Sequence, residues 1–237
     1  MEQEAQSGRG WRDLLWKEAT NAPCRILDTK AGPLFLHDHC PAVVVERLSA
    51  ESGFHAFARL PEREYQLLLV LAKRPDTKLT LAYTPSREIV GQVTLVPAAG
   101  WWQDLEFIYE MSLEISSSWR RMGIARQLVT EALQNEAVEE LVILGLGLRW
   151  HWDTEGLGLH PFRYRALLAQ AAAIYGFSEY LTGEPNISAD PANILLARIG
   201  RGVNQQRINK FVEHLLHSDT LPGLSSGGWI EEEHEAC

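Results

Sequence analysis

A short basic turn between a predicted strand and a predicted helix constrains this chain more than any other stretch. The turn begins at Arg120 and ends at Ala125, where the helical pattern starts. Backbone N–H groups in such a turn converge on one spot, and the helix N-terminus and the arginines add positive charge. Gly123 permits a backbone conformation that a side chain would hinder. The sequence therefore predicts a phosphate or pyrophosphate site. Its predicted residues are Arg120, Arg121, Met122, Gly123, Ile124, Ala125 and Arg126.

Two carboxylates precede this turn on one face of the predicted strand. Glu110 and Glu114 alternate with Met111, Leu113 and Ile115, so the glutamates share a face and the apolar residues share the other. In a regular strand the Cα atoms of the two glutamates lie about 13 Å apart, which is too far for them to share a proton. Each glutamate is therefore a separate catalytic candidate, with a solvated strand face as the alternative.

Apolar periodicity predicts an alternation of strands and helices along the chain. The predicted order is helix 61–74, a hairpin of strands 79–83 and 89–96, strand 107–116, helix 124–135, strand 141–144, helix 161–176, strand 194–199 and helix 203–217. A strand at 34–37 and a short helix at 41–48 precede this order. We predict an N-terminal extension over residues 1–28, a domain over 29–217, and a flexible acidic tail over 218–237.

Composition excludes several classes of function. The chain has 237 residues, 46% of them hydrophobic, which suits one large domain with its own core. The net charge is −9 and the chain has no basic stripe, so we expect no nucleic-acid partner. Three scattered cysteines predict neither a disulfide framework nor a metal site, and no G-x-x-x-x-G-K-[ST] phosphate loop is present. We see no signal peptide and no apolar run long enough to span a membrane, so we predict a cytoplasmic protein.

The basic turn resembles a known cofactor signature. Arg120-x-x-Gly123-x-Ala125 is similar to the [Q/R]-x-x-G-x-[G/A] motif of N-acetyltransferases of the GNAT superfamily, where the turn holds the pyrophosphate of coenzyme A. The predicted order of elements also matches that fold. The resemblance implies an α/β (α+β) fold with a mixed central sheet, helices on both faces, and two central strands that splay apart at the acyl-CoA site.

Longer blocks are similar to the acetoin-utilization acetyltransferase family, AcuA. They are the W-H-W-D segment at 150–153, the G-x-G-L segment at 156–159, Tyr164-Arg165, and the P-A-N segment at 191–193 with the run that follows it to Gly200. The similarity spans about residues 31–203. It implies a protein lysine N-acetyltransferase that uses acetyl-CoA, needs no metal, and inactivates an acyl-CoA synthetase, typically acetyl-CoA synthetase.

The resemblance also implies which residues act on the substrates. A base must deprotonate the attacking lysine. Related enzymes use a glutamate on the strand before the turn, which favours Glu114 here, while Glu110, His151 and Asp153 stay open as rivals. The family strand has one more residue and a glycine between its two glutamates, so the spacing of Glu110 to the turn departs from the family. A backbone N–H near Leu113 to Ile115 is expected to bind the acetyl oxygen, and Tyr164 is either a proton donor to the thiolate or a packing residue.

Three functions remain open at the level of sequence. The first is acetylation of a lysine in a metabolic synthetase. The second is acetylation of a small amine or antibiotic, which would favour a deep, closed, acidic pocket. The third is a non-catalytic acyl-CoA-binding module that docks on the synthetase. An exposed Trp101-Trp102 pair and W-H-W-D segment would favour protein docking, as in the first or the third function. The alternative for the tryptophan pair is packing onto the core.

Overall fold

A nine-stranded mixed sheet forms the body of the protein in a computed structural model that describes residues 24–134 and 136–216. The strands β1 to β9 are Cys24–Thr29, Gly32–His37, Ser49–Ala50, Lys78–Tyr83, Glu88–Pro97, Ile108–Ile115, Val142–Gly147, Ser178–Tyr180 and Ile194–Ile199. The helices α1 to α7 are Ala42–Val45, Pro61–Ala72, Ile124–Leu133, Thr154–Leu157, Pro161–Ala173, Pro185–Ser188 and Gln205–Leu215. Prolines occupy the first position of α2 and α5, where a missing N–H costs no helical hydrogen bond.

The strands lie in the order β1-β2-β4-β5-β6-β7-β9-β8, with β3 paired to β5. Along this order the neighbours from β1 to β6 are antiparallel, as are β7, β9 and β8, whereas the two-residue β3 pairs with β5 in parallel. The two halves meet where β6 and β7 pair in parallel over three residues each, from Ile108 to Glu110 and from Val142 to Leu144. This short parallel junction lies at the centre of the sheet and determines where a ligand can enter it.

Helices cover both faces of the sheet. On one face, α2 packs through Leu68 and α7 packs through Phe211. On the other face, α3 packs through Leu128 and α5 through Leu168. Within the described residues, no helix is long and apolar enough to cross a membrane.

The predicted order from residue 61 onward is confirmed, and so is the strand at 34–37. Three strands were not predicted: β1 and the very short β3 and β8. The boundary predicted between residues 28 and 29 is wrong, because it falls inside β1, which pairs with β2 along its whole length. The helix predicted at 41–48 is only the four residues of α1, since β-branched side chains disfavour a longer helix there. The predicted tail and residues 1–23 lie outside the described residues.

The tryptophan pair packs onto the core. Trp102 is 2% exposed, and its ring lies 6.0 Å from the ring of Phe211 and 5.2 Å from that of His214. Trp101 is half-buried, with its ring 5.7 Å from the same histidine. The idea that these tryptophans form an exposed docking surface is therefore wrong, and the packing alternative is confirmed.

Candidate active site

The central strands separate at the middle of the sheet. Pairing of β6 with β7 ends at Glu110 and Leu144, although both strands continue for several more residues. Beyond this point, β6 follows β5 to Ile115 and β7 follows β9 to Gly147. Two neighbouring strands that diverge in this way leave a wedge-shaped gap, as the resemblance implied.

A cavity of about 480 Å³ occupies this gap and continues on both faces of the sheet. Its lining is mainly apolar. On one side it lies between α3, through Ala125 and Val129, and α5, through Leu168. On the other side it is lined by Ala56 and Phe57 of the segment before α2. A ligand could thus enter from the α3–α5 face and meet a second substrate on the opposite face.

Unpaired backbone amides of β6 point into the gap. Hydrogen bonds of an antiparallel ladder alternate along a strand. The N–H of Ser116 donates to the carbonyl of Val90, and that of Ala98 donates to the carbonyl of Ile108. The even-numbered residues of β6 therefore bond to β5, and the N–H groups of Leu113 and Ile115 face the side where β7 has turned away. Two amides are available there for a ligand that extends along the strand.

The basic turn has the geometry of an anion site. Arg121 and Gly123 both adopt left-handed backbone conformations, with φ of 61° and 78°. No side chain caps α3, so the N–H groups of its first turn, from Ile124 to Arg126, have no side-chain acceptor. A Cβ on Gly123 would meet no atom within 4 Å, so the positive φ, rather than space, favours glycine here.

Arg120 connects this turn to the W-H-W-D segment. Its Nη1 donates to Oδ2 of Asp153, and its Nε lies 3.5 Å from the carbonyl oxygen of Ile115. Asp153 also accepts the N–H of Gly156 as the N-cap of α4. The hydrogen bond from Arg120 is the main cause that lowers the pKa of Asp153, and burial opposes it. A carboxylate with a lowered pKa and two donors is poorly suited to accept a proton from a substrate.

Glu110 lines the cavity at the point where the strands part. Its side chain is half-buried, and burial, followed by the negative charge of Glu184, raises the pKa of its carboxyl. A carboxylate with a raised pKa is a stronger base, which suits proton abstraction near neutral pH.

Glu114 lies on the same face but does not line the cavity. It is 5% exposed, and its Oε1 accepts the N–H groups of His55 and Ala56, each at 2.7 Å. The carboxyl of Glu64 from α2 is its other neighbour. The prediction that Glu110 and Glu114 are too far apart to couple agrees with this arrangement, but Glu114 couples to a carboxyl that the sequence did not indicate.

His151 and Tyr164 both line the cavity on the side of the W-H-W-D segment. The Nδ1 of His151 lies 3.1 Å from the carbonyl oxygen of Ala56, which leaves Nε2 as its second polar atom. Tyr164 stacks on Trp152 with ring centroids 4.9 Å apart and planes 13° apart. Burial raises the pKa of the Tyr164 hydroxyl, so it stays protonated. The tyrosine is thus a packing residue that also carries a protonated hydroxyl at the cavity.

The P-A-N segment is hydrogen-bonded to the residue that precedes the W-H-W-D segment. Asn193 is 4% exposed, its Oδ1 accepts the N–H of Arg149 at 2.7 Å, and its Nδ2 donates to the carbonyl of Asn186 at 2.7 Å. Asp190 accepts the N–H of Ala192 and the guanidinium of Arg149. An asparagine is suited to this position because it donates and accepts at once. The two most specific sequence blocks are therefore joined in space.

Sequence reasoning missed the segment at residues 55–58 and its partner Glu64. The segment has neither helical nor strand periodicity, and Glu64 is the second of two glutamates in the first turn of α2. Acidic residues in that position usually complement the helix dipole at the surface, whereas Glu64 is 3% exposed. Among residues 24–134 and 136–216, no group of three or more His, Cys, Asp or Glu side chains could hold a metal ion.

Comparison with known proteins supports this assignment of fold. Residues 44–146 match the Acetyltransferase (GNAT) family. The chain is 30% identical over 158 residues to the acetoin utilization protein AcuA of Bacillus subtilis, which covers 65% of this chain and 75% of the relative. It is 29% identical over 178 residues to AcuA of Bacillus licheniformis, covering 71% and 84%.

A solved structure has the same fold. The crystal structure of an acetoin utilization protein from Exiguobacterium sibiricum superposes with a TM-score of 0.77 and is 26% identical, covering 84% of this chain and 95% of that one. The mixed sheet and its flanking helices are thus the architecture of a known group of proteins.

Proposed function

This chain belongs to the acetoin utilization AcuA family of GNAT N-acetyltransferases, and we propose that it transfers an acetyl group from acetyl-CoA to one lysine of an acyl-CoA synthetase. The observation that carries the proposal is the cavity that passes between β6 and β7. It joins a basic, uncapped helix N-terminus to a second opening with a base, so two substrates can approach each other from opposite faces. We infer that the target is acetyl-CoA synthetase, which this reaction inactivates.

Acetyl-CoA would lie with its pyrophosphate on the basic turn and its pantetheine arm along β6. The amides of residues 123–126 and the side chains of Arg120 and Arg121 would bind the pyrophosphate. The N–H groups of Leu113 and Ile115 would bind the arm and the acetyl carbonyl. That carbonyl oxygen gains negative charge in the transition state, and a fixed backbone donor stabilises it.

Glu110 would act as the base, directly or through one water molecule. It takes a proton from the lysine Nζ, whose lone pair attacks the acetyl carbon to form the new C–N bond. Breaking the C–S bond releases the thiolate of coenzyme A, which takes a proton from Tyr164, and the second proton that the nitrogen loses returns to the tyrosinate through water. The Nδ1 of His151 is already bound to the carbonyl of Ala56, so Nε2 is the nitrogen left to contact the acceptor lysine. His151 would thus orient the lysine from the opposite side of the opening.

The outer side of the opening favours a protein acceptor over a small amine. Trp150 is 55% exposed and Phe162 is 52% exposed, and both lie in segments whose neighbouring residues line the cavity. Within the described part of the chain, Glu110 is the single acidic residue that lines the cavity. A site for a free polyamine would be expected to present several carboxylates.

Acetylation explains inactivation in simple electrostatic terms. The target lysine would be the one that serves adenylation in the synthetase. Acetylation converts its ammonium into a neutral amide, which removes a cation that stabilises the charge of the adenylation transition state.

Incubation with acetyl-CoA and a purified acetyl-CoA synthetase tests the proposal, with intact mass and synthetase activity measured together. We expect the synthetase to gain the mass of one acetyl group and to lose activity in proportion. Activity lost without a gain in mass would support the docking module instead. A synthetase that keeps both its mass and its activity, while polyamines become acetylated, would support the small-amine function.

Replacing Arg120 with alanine should weaken acetyl-CoA binding by roughly tenfold, because a charge-assisted contact to phosphate contributes about 1.5–3 kcal/mol. Calorimetric titration with acetyl-CoA measures this. Asp153→Asn is the matched control: it breaks the pair with Arg120 but keeps the cation, so it should bind acetyl-CoA at least as well as the wild type. Equal losses in the two variants would mean that Arg120 acts only by holding the W-H-W-D segment.

A further inference from the structure

The segment at residues 55–58, called the wall segment below, is held in place by carboxylates rather than by a strand ladder. It lies between β3 and α2 and closes the acceptor side of the cavity with Ala56 and Phe57. The N–H groups of His55 and Ala56 both donate to Oε1 of Glu114. The N–H of Ala58 donates to Oε2 of Glu64 at 2.6 Å. Three of its four amides thus depend on two acidic side chains.

These two carboxyls come from different elements and face each other in the protein interior. Glu64 on α2 is 3% exposed and Glu114 on β6 is 5% exposed. The Oε2 of Glu114 is buried and has no hydrogen-bond partner among the described residues, so it is the oxygen left to carry a proton. Two ionised carboxylates that interact inside a protein repel each other strongly, so the pair favours keeping one proton between them.

We propose that Glu64 and Glu114 form a carboxyl clamp that positions the wall segment, and that Glu114 is a positioning residue rather than the base. The clamp itself is independent of the proposed function; only its effect on the acceptor side of the cavity rests on that function. The carbonyl of Ala56 lies 3.1 Å from Nδ1 of His151, and the ring of Phe57 lies 5.1 Å from the imidazole ring. The clamp therefore sets the orientation of His151 and the width of the acceptor opening.

The clamp makes the acceptor opening sensitive to alkaline pH. Burial, and then the hydrogen bond and charge of Glu64, raise the pKa of Glu114 to about 8, against the opposing effect of the two amides. The titratable group that acts on Glu114 is Glu64 on α2; the wall segment faces it with the backbone N–H groups of His55 and Ala56, and its neighbour on β5 is the uncharged Gln92. Below this pKa the shared proton joins the carboxyls. Above it Glu114 carries a charge beside the carboxyl of Glu64, which opposes their close approach, so the wall segment loosens as pH rises.

The variant Glu114→Gln distinguishes a positioning role of Glu114 from a role as the general base. The glutamine oxygen can still accept from His55 and Ala56, its amide can donate to Glu64, and it does not titrate. We expect kcat within about threefold of the wild type at neutral pH, because no proton-transfer group is lost. Glu114→Ala removes both the acceptor for the wall amides and the interaction with Glu64. We expect a higher KM for the acceptor substrate with a smaller change in kcat.

Amide hydrogen exchange at residues 55–58 tests the clamp without any acceptor, so its outcome is independent of the proposed function. Corrected for intrinsic exchange rates, protection in the wild type should fall as pH rises through about 8. It should stay constant in Glu114→Gln and in Glu64→Gln, each of which replaces one carboxyl by a neutral donor. Glu64→Gln also serves as the second variant if Glu114→Ala does not fold.

Two results would overturn the inference. In the first, Glu114→Gln keeps the wall amides protected but loses roughly 100-fold or more in kcat, which would identify Glu114 as the base. In the second, the wall amides exchange equally in wild type and Glu114→Gln at every pH, which would show that no shared proton holds them.

Discussion

Glu110→Gln is expected to lower kcat by about 10²–10⁴-fold while acetyl-CoA affinity stays within twofold, because it removes a general base and keeps its shape. Glu110 lines the cavity where β6 and β7 part, and its pKa is raised chiefly by burial. Transfer to the synthetase, measured under saturating acetyl-CoA, reports kcat, and calorimetry reports affinity. The wild-type rate should also fall as pH drops through the raised pKa of Glu110, and this acidic limb should disappear in the variant.

The chain offers a matched control on the same strand and the same face. Glu114→Gln makes the same chemical change four residues away, at a carboxyl that does not line the cavity. We expect the two variants to differ by at least tenfold in kcat, with Glu110→Gln the slower. A fully active Glu110→Gln beside an inactive His151→Ala would keep the mechanism but move the base to His151.

Gly145→Leu is expected to weaken acetyl-CoA binding by roughly 100-fold, equivalent to about 2.7 kcal/mol. Gly145 lies on β7 just past the last residue paired to β6, and it lines the cavity. A Cβ there would have the Cβ of Leu196 as its nearest neighbour, at 3.7 Å, which is ordinary contact. A leucine can therefore be accommodated by the fold while it fills the space that the pantetheine arm would need.

Gly145→Ala is the control for this steric argument. A single methyl group fits at ordinary contact distance, so affinity should stay within a few fold of the wild type. Melting temperatures of both variants, compared with the wild type, report whether the sheet itself has been disturbed. Unchanged affinity in Gly145→Leu with an intact fold would mean that acetyl-CoA does not occupy the gap.

The sequence predicts the framework of the site because that framework depends on local patterns. Alternation in β6, the apolar stripe of α3 and the glycine at position 123 each follow from spacing along a few neighbouring residues. Pro61 and Pro161 mark helix starts for an equally local reason. The element order follows from apolar periodicity, the gap between β6 and β7 was expected from the resemblance, and the structure confirms both.

The contacts that decide chemistry are not local, and the sequence does not reveal them. Glu114 meets Glu64, which is 50 positions earlier in the chain, and Arg120 meets Asp153, which is 33 positions later. On a strand pattern alone, Glu110 and Glu114 are equivalent. Only tertiary packing buries one beneath the wall segment and exposes the other to the cavity.

A crystal structure with bound coenzyme A is the most direct measurement of the central claim, which is that acetyl-CoA lies between β6 and β7 with its acetyl group beside Glu110. We predict density for the pyrophosphate against the amides of residues 123–126 and for the thiol in the cavity of about 480 Å³. A second cleft, lined by Asp104, Arg207 and Lys210 among others, lies at the opposite end of the same strands. Coenzyme A found in that cleft, with the central gap empty, would contradict the account.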